Sequence, residues 1–198
     1  MLSIASIVEG HGEVEALPIV IRRILAEARP SRFANILQPI RKPRDSLLKA
    51  NELEKAIELA ARKTNRKGAI VVVLDSDGEP PCQLGPELLK RAVLAAAHLP
   101  VRVVLAHCEW EAWYLAAAVS LSGRRGLKSS LLPPNNPEAI RGAKEWLRAN
   151  MDPSRTYSPA IDQSAFANML DLEAARTAPS FAKLCRDILS LPQEDRPS

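Results

Sequence analysis

The sequence lacks a disulfide-type cysteine pattern, a long hydrophobic run and a known phosphate-binding loop, and each absence excludes a class of protein. Its three cysteines, Cys82, Cys108 and Cys185, share no CxxC spacing, so we expect reduced thiols rather than a disulfide framework or a zinc knuckle. No stretch reaches the roughly 18 apolar residues of a membrane span. The N-terminal apolar run meets Glu9 too early for a signal peptide. We therefore expect a cytoplasmic protein without a membrane partner.

The glycine-flanked turn EGHGE at residues 9–13 does not fit the known phosphate-binding loops. A dinucleotide fingerprint requires a third glycine where this chain has Glu15, and a P-loop requires Gly-Lys-Ser/Thr. Glu9 and Glu13 would also repel a pyrophosphate. For Glu13 and Glu15 we favour stabilisation of a helix N-terminus through its dipole, whereas Glu9 precedes the turn and is a functional candidate.

Length and composition predict one globular domain with a sizeable core. The chain has 198 residues, of which 46% are hydrophobic and 25% charged, so it does not resemble a disordered chain. Its net charge of +4 permits an anionic partner. The basic residues lie in clusters, namely Arg41-Lys42-Pro43-Arg44, Arg62-Lys63 with Arg66-Lys67, and Arg124-Arg125 with Lys128. An acidic centre within these basic segments suits metal-assisted chemistry on a phosphate chain, and a merely solvated surface is the alternative.

Apolar runs that alternate with helical periodicity predict an α/β fold with a parallel, right-handed sheet of about four strands flanked by helices. We expect strands at residues 2–8, 33–40 and 101–106, and a central strand that begins at Ala69 and ends in the turn Asp75-Ser76-Asp77-Gly78. The first strand is followed by a helix that ends at Pro30, and further helices are expected at residues 46–66, 86–98 and 112–119.

The amino-acid composition of the chain changes after residue 120. The segment SGRRGLKSSLLPPNNP is a loop by composition, and the remainder has helical stretches near residues 137–150, 164–170 and 179–189 but no clear strand. The polar tail from Pro192 to Ser198 is expected to fray. We therefore divide the chain into an α/β core at residues 1–120 and a helical extension at residues 121–198 that packs on the core within a single domain.

The central strand AIVVVL delivers Asp75 and Asp77 to a turn at its carboxyl end. Open α/β sheets bind their ligands at this edge, and residues i and i+2 of an extended segment point the same way. Two close carboxylates repel each other unless a proton or a cation intervenes, so a divalent metal is the natural third partner.

A third acidic pair, Glu109 and Glu111, follows the last predicted strand. Three acid-bearing strand ends in one sheet are difficult to assign to solubility alone. Trp110 and Trp113 flank Glu111, and either can stack on a base, although Trp113 also heads an apolar helix face that suits the core.

The combination of IVEG at residues 7–10 and VLDSD at residues 73–77 resembles the toprim domain, which has a glutamate after its first strand and Asp-x-Asp after a later one. Toprim domains occur in topoisomerases, bacterial primases and the overcoming-lysogenization-defect nucleases. A narrower resemblance, to a bacterial toprim-like family of unknown function, spans nearly the whole chain. It rests on VEGHGEVEALP at residues 8–18, Pro43-Arg44, LDSDG at residues 74–78, EWEAW at residues 109–113, Tyr157, Asp162 and Ser180-Phe181.

The resemblance implies a Rossmann-like, toprim-like fold and a role for each matching residue. Asp75 and Asp77 match the metal-binding pair, and Glu9 matches the glutamate that acts as general acid or base or as a further ligand. Glu109 and Glu111 match the later acids that would complete a site for one or two Mg²⁺ or Mn²⁺ ions. The resembling family is often found beside a separately encoded ATPase, so the resemblance also implies such a partner.

These expectations lead to the hypothesis of a Mg²⁺-dependent toprim nuclease, or nuclease subunit, of a bacterial defence or DNA-repair system, with DNA as the expected partner. Its phosphate contacts are expected at Arg44 after the second strand and at the basic residues Arg41, Lys42, Arg124, Arg125 and Lys128. Two alternatives stay open. LDSDG also resembles the nucleophile motif of haloacid-dehalogenase phosphohydrolases, in which Asp75 would be phosphorylated, and a toprim scaffold can serve as a non-catalytic partner of an ATPase.

Overall fold

The fold is a parallel five-stranded sheet covered by helices on both faces, as seen in a computed structural model that describes residues 1–28 and 33–192. Every strand pairing is parallel, which confirms the α/β class and gives a Rossmann-like arrangement. The strands are β1 Leu2–Val8, β2 Ala34–Ile36, β3 Ile40–Arg41, β4 Gly68–Asp75 and β5 Val101–Ala106.

Ten α-helices lie within the described ranges. They are α1 His11–Ala28, α2 Arg44–Leu48, α3 Glu52–Lys63, α4 Pro81–Ala95, α5 Ala112–Ala116, α6 Ala118–Leu121, α7 Ala143–Ala149, α8 Pro159–Met169, α9 Leu172–Ala175 and α10 Pro179–Leu189, with a short 3-10 helix at Pro137–Ala139. None of these helices is long and apolar enough to cross a membrane. The expected helix end at Pro30 and the tail from residue 193 onward lie outside the described residues.

The sheet has one strand more than expected because the predicted strand at residues 33–40 is two short strands. Both pair with β1, with Ile36 opposite Ile4 and Ile40 opposite Ile7. Pro39 lies between them and has no backbone N–H to donate to the sheet, so the ladder is interrupted there. The remaining order across the sheet is β2-β1-β4-β5.

The predicted helix at residues 46–66 is also divided. It forms α2 and α3, which are separated at Asn51, a residue in the left-handed region with φ of 63°. Asparagine tolerates this conformation better than most residues, so the chain can turn there without a glycine.

Alternate residues of the central strand face two different helical layers. Ile70, Val72 and Leu74 pack against α2, α3 and α4, in a cluster built from aliphatic side chains that we call the aliphatic face. Ala69, Val71 and Val73 face the opposite layer, which includes α1, α5, α8 and α10 and which we call the aromatic face. Its buried aromatic side chains are Trp110, Trp113, Tyr114, Tyr157, Phe166 and Phe181.

The residues after 121 pack on the aromatic face. Within the described part of this extension the only strand-like pairing is an isolated bridge between Leu127 and Met151. Helix α8 lies against α1 so closely that a Cβ added at Gly12 would come within 2.3 Å of the Pro159 carbonyl oxygen. A glycine at the start of α1 is therefore what permits this close approach.

Candidate metal centre

The candidate site lies where the order of the strands reverses. From β1 the chain crosses through α1 on the aromatic face to β2, and then returns through α3 on the aliphatic face to β4 on the other side of β1. The carboxyl ends of β1 and β4 therefore border a crevice at a topological switch point. Open α/β sheets bind their ligands in crevices of this kind.

Three carboxylates meet in this crevice. Glu9 follows β1, Glu13 lies in the first turn of α1, and Asp75 ends β4. One carboxylate oxygen from each lies within 4.8 Å of those of the other two, so the group can hold a metal ion. We call Glu9, Glu13 and Asp75 the acidic triad.

Backbone hydrogen bonds fix two members of the triad. Glu13 accepts from the N–H groups of Glu9 and Gly10 through Oε2, at 3.2 and 3.3 Å. Its carboxylate thus caps the turn before α1, in addition to lying beside Glu9. Asp75 accepts from the Trp110 N–H through Oδ1 at 2.7 Å. Each of these two residues can therefore offer its second oxygen to an ion while the first holds the backbone.

The triad is under electrostatic strain when no cation is bound. Burial raises the pKa of Glu9 to about 7, and repulsion by Asp77 adds to the shift. Burial and the neighbouring Glu9 raise the pKa of Glu13 to about 7 as well. Burial, followed by the charges of Glu13 and Glu9, raises the pKa of Asp75 well above its ordinary value. A divalent cation would remove this repulsion.

Two buried oxygens near the triad accept no hydrogen bond from the described residues. They are Oε2 of Glu9 and Oε2 of Glu111. Leaving a buried carboxylate oxygen without a donor is costly unless a cation is close to it. Oε2 of Glu111 already has the Lys144 ammonium group 3.4 Å away, so Oε2 of Glu9 is the observation from this structure that fits a bound metal.

Asp77 does not join the triad, although the sequence predicts that it converges with Asp75. The strand ends at Asp75, and Asp77 adopts a left-handed conformation with φ of 49°, so the alternation of an extended strand does not continue to it. Its exposed side chain lies 3.7 Å from the guanidinium of Arg44. Asp77 influences the charge of Glu9 and lines a neighbouring cavity, but the structure does not bring it within the same short distance as the triad.

Glu109 and Glu111 lie on the far side of a lysine that the sequence did not single out. Lys144, in the first turn of α7, places Nζ 3.4 Å from Oε1 of Glu109, 3.4 Å from Oε2 of Glu111 and 3.7 Å from Oδ2 of Asp75. Glu111 is completely buried, and its Oε1 accepts hydrogen bonds of 2.9 Å from Tyr157 Oη and Gln163 Nε2. These two acids therefore form a lysine-neutralised group beside the triad.

Arg44, which the sequence predicts to bind a phosphate, holds the turn after β4. It donates through Nε to the Asp75 carbonyl at 3.0 Å and through a terminal nitrogen to the Ser76 carbonyl at 3.2 Å, and it is ion-paired with Glu79. Only 10% of its side chain is exposed. Its hydrogen bonds therefore hold the backbone at Asp75, and little of its side chain faces solvent.

The other basic residues predicted to bind nucleic acid fall into two groups. Arg41, Arg124 and Lys128 are exposed, and Lys128 donates to the carbonyl of Ala149 at 2.9 Å. Lys42 and Arg125 are engaged with acids of the chain, as Lys42 pairs with Glu52 and Arg125 lies 3.2 Å from the buried Asp162. Arg125 is exposed as well, so the two groups differ in whether the charge is paired with an acid of the described chain.

A cavity of about 190 Å³ opens beside Glu109. Its lining residues are Asp77, Gly78, Cys108, Glu109, Arg141 and Gly142. Arg141 is exposed and forms no ion pair with any carboxylate of the described chain. Arg141, Lys144 and the metal-facing role of Glu13 are the site residues that sequence reasoning missed.

The family model described as Domain of unknown function (DUF4276) matches residues 8–189, which is nearly the entire chain and includes every residue of the site. The chain therefore belongs to this family. It matches none of the curated proteins with which it was compared. Neither result specifies a chemistry, so the function is argued from the arrangement of the site.

Proposed function

We propose that this member of the DUF4276 family is a divalent-metal-dependent nuclease, or the nuclease subunit of a larger assembly, that hydrolyses phosphodiester bonds of nucleic acid. The acidic triad at the switch point of the sheet carries the proposal, because three oxygens within 4.8 Å form a ready site for a hard cation. DNA as the substrate and a separately encoded ATPase as a partner belong to the same proposal.

The donor atoms favour Mg²⁺ or Mn²⁺ as the ion. Glu9, Glu13 and Asp75 would hold it, and all three offer oxygen, which these ions prefer over the nitrogen and sulfur ligands typical of zinc. The unpartnered Oε2 of Glu9 supports this assignment. A bound ion of this kind polarises a phosphate and lowers the pKa of its bound water.

The chain itself offers a proton acceptor for hydrolysis. The reaction forms a bond from a water oxygen to phosphorus and breaks the bond from phosphorus to one ester oxygen, which leaves with a proton. A base must lie within reach of the proton that it accepts. Glu9 is more exposed than Glu13, which shows 4% of its surface, and a carboxylate has two oxygens, one of which can face the ion and the other the water. We assign the role of base to Glu9.

The cavity beside Glu109 gives the substrate strand a place to lie. Arg141 lines it with an exposed guanidinium, which can make two parallel hydrogen bonds to one phosphate. The exposed Arg41, Arg124 and Lys128 are the proposed contacts to more distant phosphates.

The geometry at Asp75 favours a metal ligand over a phosphorylated nucleophile. A nucleophilic carboxylate must approach the phosphorus atom, yet Asp75 is only 4% exposed. Its Oδ1 accepts from the Trp110 N–H, and its Oδ2 lies 3.7 Å from Lys144. A carboxylate held from two sides suits a fixed ligand.

The direct test is incubation of the full chain with supercoiled and linear DNA in the presence of Mg²⁺ or Mn²⁺, with and without a chelator. We expect metal-dependent cleavage. Asp75→Asn keeps the side-chain shape but removes the charged ligand, so cleavage should fall by about 10²-fold or more.

The matched control is Asp45→Asn, which removes a carboxylate that is 92% exposed on α2. It should cleave at the wild-type rate. Equal cleavage by wild type and Asp75→Asn, in preparations that both bind Mn²⁺, would overturn the proposal, as would the absence of cleavage of DNA and RNA by a wild type saturated with metal.

A further inference from the structure

Lys144 lies between the acidic triad and the acids that follow β5. Its ammonium group contacts one triad member, Asp75, at 3.7 Å, and lies 3.4 Å from both Glu109 and Glu111. A second divalent ion bound by Glu109, Glu111 and Asp75 would have to occupy this position. In this structure the ammonium group of Lys144 already occupies that position.

The position of Lys144 is fixed from its backbone outward. Its N–H donates to Oε2 of Glu109 at 3.1 Å, while its Nζ reaches Oε1 of the same carboxylate. Gly142, at φ of 79°, sets the turn into α7 that brings the residue to the sheet edge. The same glutamate thus holds both ends of the lysine, so the side chain is anchored and not merely attracted to nearby acids.

Three carboxylates surround the Lys144 ammonium group, and an oxygen of each lies within 3.7 Å of Nζ. About a quarter of the side chain, 28%, is exposed, so the ammonium group can meet a ligand that enters from the cavity side. A partly exposed cation is therefore available to a phosphate.

We propose that the site binds a single divalent ion on Glu9, Glu13 and Asp75, and that the Lys144 ammonium group supplies the second positive charge, in contact with an oxygen of the substrate phosphate. This inference rests on the proposed nuclease function for the phosphate contact, whereas its statement on metal number stands on the contacts alone. Glu109 and Glu111 are accordingly positioning residues for Lys144 and not ligands of a second ion.

The first experiment counts ions by isothermal titration of the full chain with Mn²⁺. Wild type should bind one ion per chain. Lys144→Met removes the resident charge and frees Glu109 and Glu111, so it should bind two. Lys144→Arg keeps the charge and should bind one, and Lys90→Met, on the exposed side of α4, should match wild type. Two ions in wild type would overturn the inference, and so would an unchanged count of one in a folded Lys144→Met.

A second measurement does not depend on whether a variant folds. Electron paramagnetic resonance of wild type with excess Mn²⁺ should show isolated ions without Mn–Mn coupling, and a coupled pair would overturn the inference.

A third experiment measures DNA cleavage at saturating Mn²⁺. The cleavage rate of Lys144→Met should be about 10²-fold lower than that of wild type, and Lys144→Arg should recover part of it. If Lys144→Met cleaves DNA at the wild-type rate, the proposed contact between Lys144 and the substrate phosphate is wrong.

These experiments separate the two proposals. If wild type binds one ion, Lys144→Met binds two and neither cleaves any nucleic acid, the nuclease proposal fails and the single-ion inference holds. If wild type cleaves DNA and binds a coupled pair of ions, the nuclease proposal holds and the single-ion inference fails.

Discussion

The two faces of the sheet are built from different chemistry. The aliphatic face, under α2, α3 and α4, contains Leu, Ile, Val and Ala, and its buried side chains need no hydrogen bonds. The aromatic face carries Trp, Tyr and Phe, whose rings meet at centroid distances between 4.4 and 6.5 Å. Both faces cover the same sheet, yet of the two core clusters only the aromatic one has buried side chains that hydrogen-bond to a carboxylate beside the triad.

The polar tips of the aromatic residues form a chain that ends at the acids. Trp110 donates through Nε1 to Tyr114 Oη at 2.7 Å, and Tyr114 donates to the Gln163 carbonyl at 2.7 Å. Gln163 and Tyr157 then both donate to Oε1 of Glu111. Core packing on this face therefore also orients a buried carboxylate, whereas packing on the aliphatic face only stabilises the fold.

The pKa values of carboxylates in the two regions also shift in opposite directions. On α3, a hydrogen bond from Arg91 lowers the pKa of Glu54, and a hydrogen bond from Arg66 lowers that of Glu58. At the sheet edge, burial raises the pKa of all three members of the acidic triad. The comparison separates a helical layer whose carboxylates are paired with arginines from a sheet edge whose carboxylates can hold a cation.

The largest expected effect comes from removing one large side chain on each face. Phe166→Ala should lower the free energy of unfolding by about 3–5 kcal/mol, and Leu88→Ala by about 2–5 kcal/mol, as measured by urea denaturation. Phe166 stacks on Tyr157 with a centroid distance of 5.8 Å, so only its loss should also weaken Mn²⁺ binding, by about tenfold. Equal Mn²⁺ affinity in the two folded variants would erase the distinction between the faces.

A pair of glycines provides a second contrast. Gly12→Ala would place a Cβ 2.3 Å from the Pro159 carbonyl oxygen, so it should cost about 1–3 kcal/mol. Gly85→Ala, inside α4, meets nothing closer than Leu105 Cδ1 at 3.9 Å, and it should stabilise the protein by about 0.4–1 kcal/mol through helix propensity. Thermal unfolding of both variants measures the difference, and a shift of the same sign in both would contradict it.

Two tyrosines on the aromatic face separate packing from support of the site. Tyr157→Phe deletes the hydroxyl that donates to Glu111, and Tyr114→Phe deletes the one that donates to Gln163. Each should cost about 1.5 kcal/mol in the free energy of unfolding. Only Tyr157→Phe should change Mn²⁺ affinity, because only Tyr157 contacts a carboxylate beside Lys144. A titration in which Tyr114→Phe gives the larger change would show that the network is coupled differently.

The smallest of the expected effects is the change of Mn²⁺ affinity with pH. Glu9 and Glu13 have pKa values of about 7, so below pH 7 an incoming ion must displace protons from them. Mn²⁺ affinity should rise by about tenfold, or about 1.4 kcal/mol, per pH unit for each proton displaced, up to that point, and level off above it.

Titration calorimetry in two buffers of different ionisation enthalpy counts the released protons. Wild type should release about one proton or more per ion at pH 6, and fewer at pH 8. Glu13→Gln removes one of the two titrating ligands and should release fewer protons than wild type at pH 6. Proton release that does not change between pH 6 and 8 would show that the triad does not titrate in this range.

The stability of the metal-free protein is expected to change with pH in the opposite direction. The pKa values of Glu9 and Glu13 are higher in the folded chain than the ordinary value of 4.5, so the folded state binds more protons than the unfolded state between about pH 4.5 and 7. Its free energy of unfolding should therefore fall as pH rises through this window.

Much of the fold could be predicted from local patterns. The apolar runs of β1, β4 and β5 identify buried parallel strands, and their neighbours are helical, so the α/β class follows. Pro39 indicates an interruption within residues 33–40, but the local sequence does not show that both pieces, β2 and β3, pair with β1.

Site residues that follow the ends of strands could be predicted from the sequence. Site residues that reach the site through contacts distant in the chain could not. Glu9 and Asp75 end adjacent strands and do meet. Glu13 lies one helical turn beyond Glu9, a spacing visible in the sequence, but the favourable interaction of its charge with the helix dipole already explains an acid at this position. Asp77 was placed with Asp75 by strand alternation, which stops where the backbone becomes left-handed.

Lys144 carries no local signal at all. It reaches the site because α7 crosses from the helical extension to the sheet edge, and no periodicity or motif around residue 144 indicates that contact. Long-range packing of this kind is not encoded in nearest-neighbour patterns.

The late position of Lys144 in the chain has a consequence for how the protein is made. Synthesis proceeds from the N-terminus, so Glu9, Glu13 and Asp75 emerge from the ribosome well before the lysine that lies beside Asp75 in the native structure. A nascent chain that docks β1 against β4 at that stage would bring unneutralised carboxylates together. Asp75 therefore gains its contact with Lys144 only after α7 has been synthesised, and the sheet edge is expected to be completed late in folding.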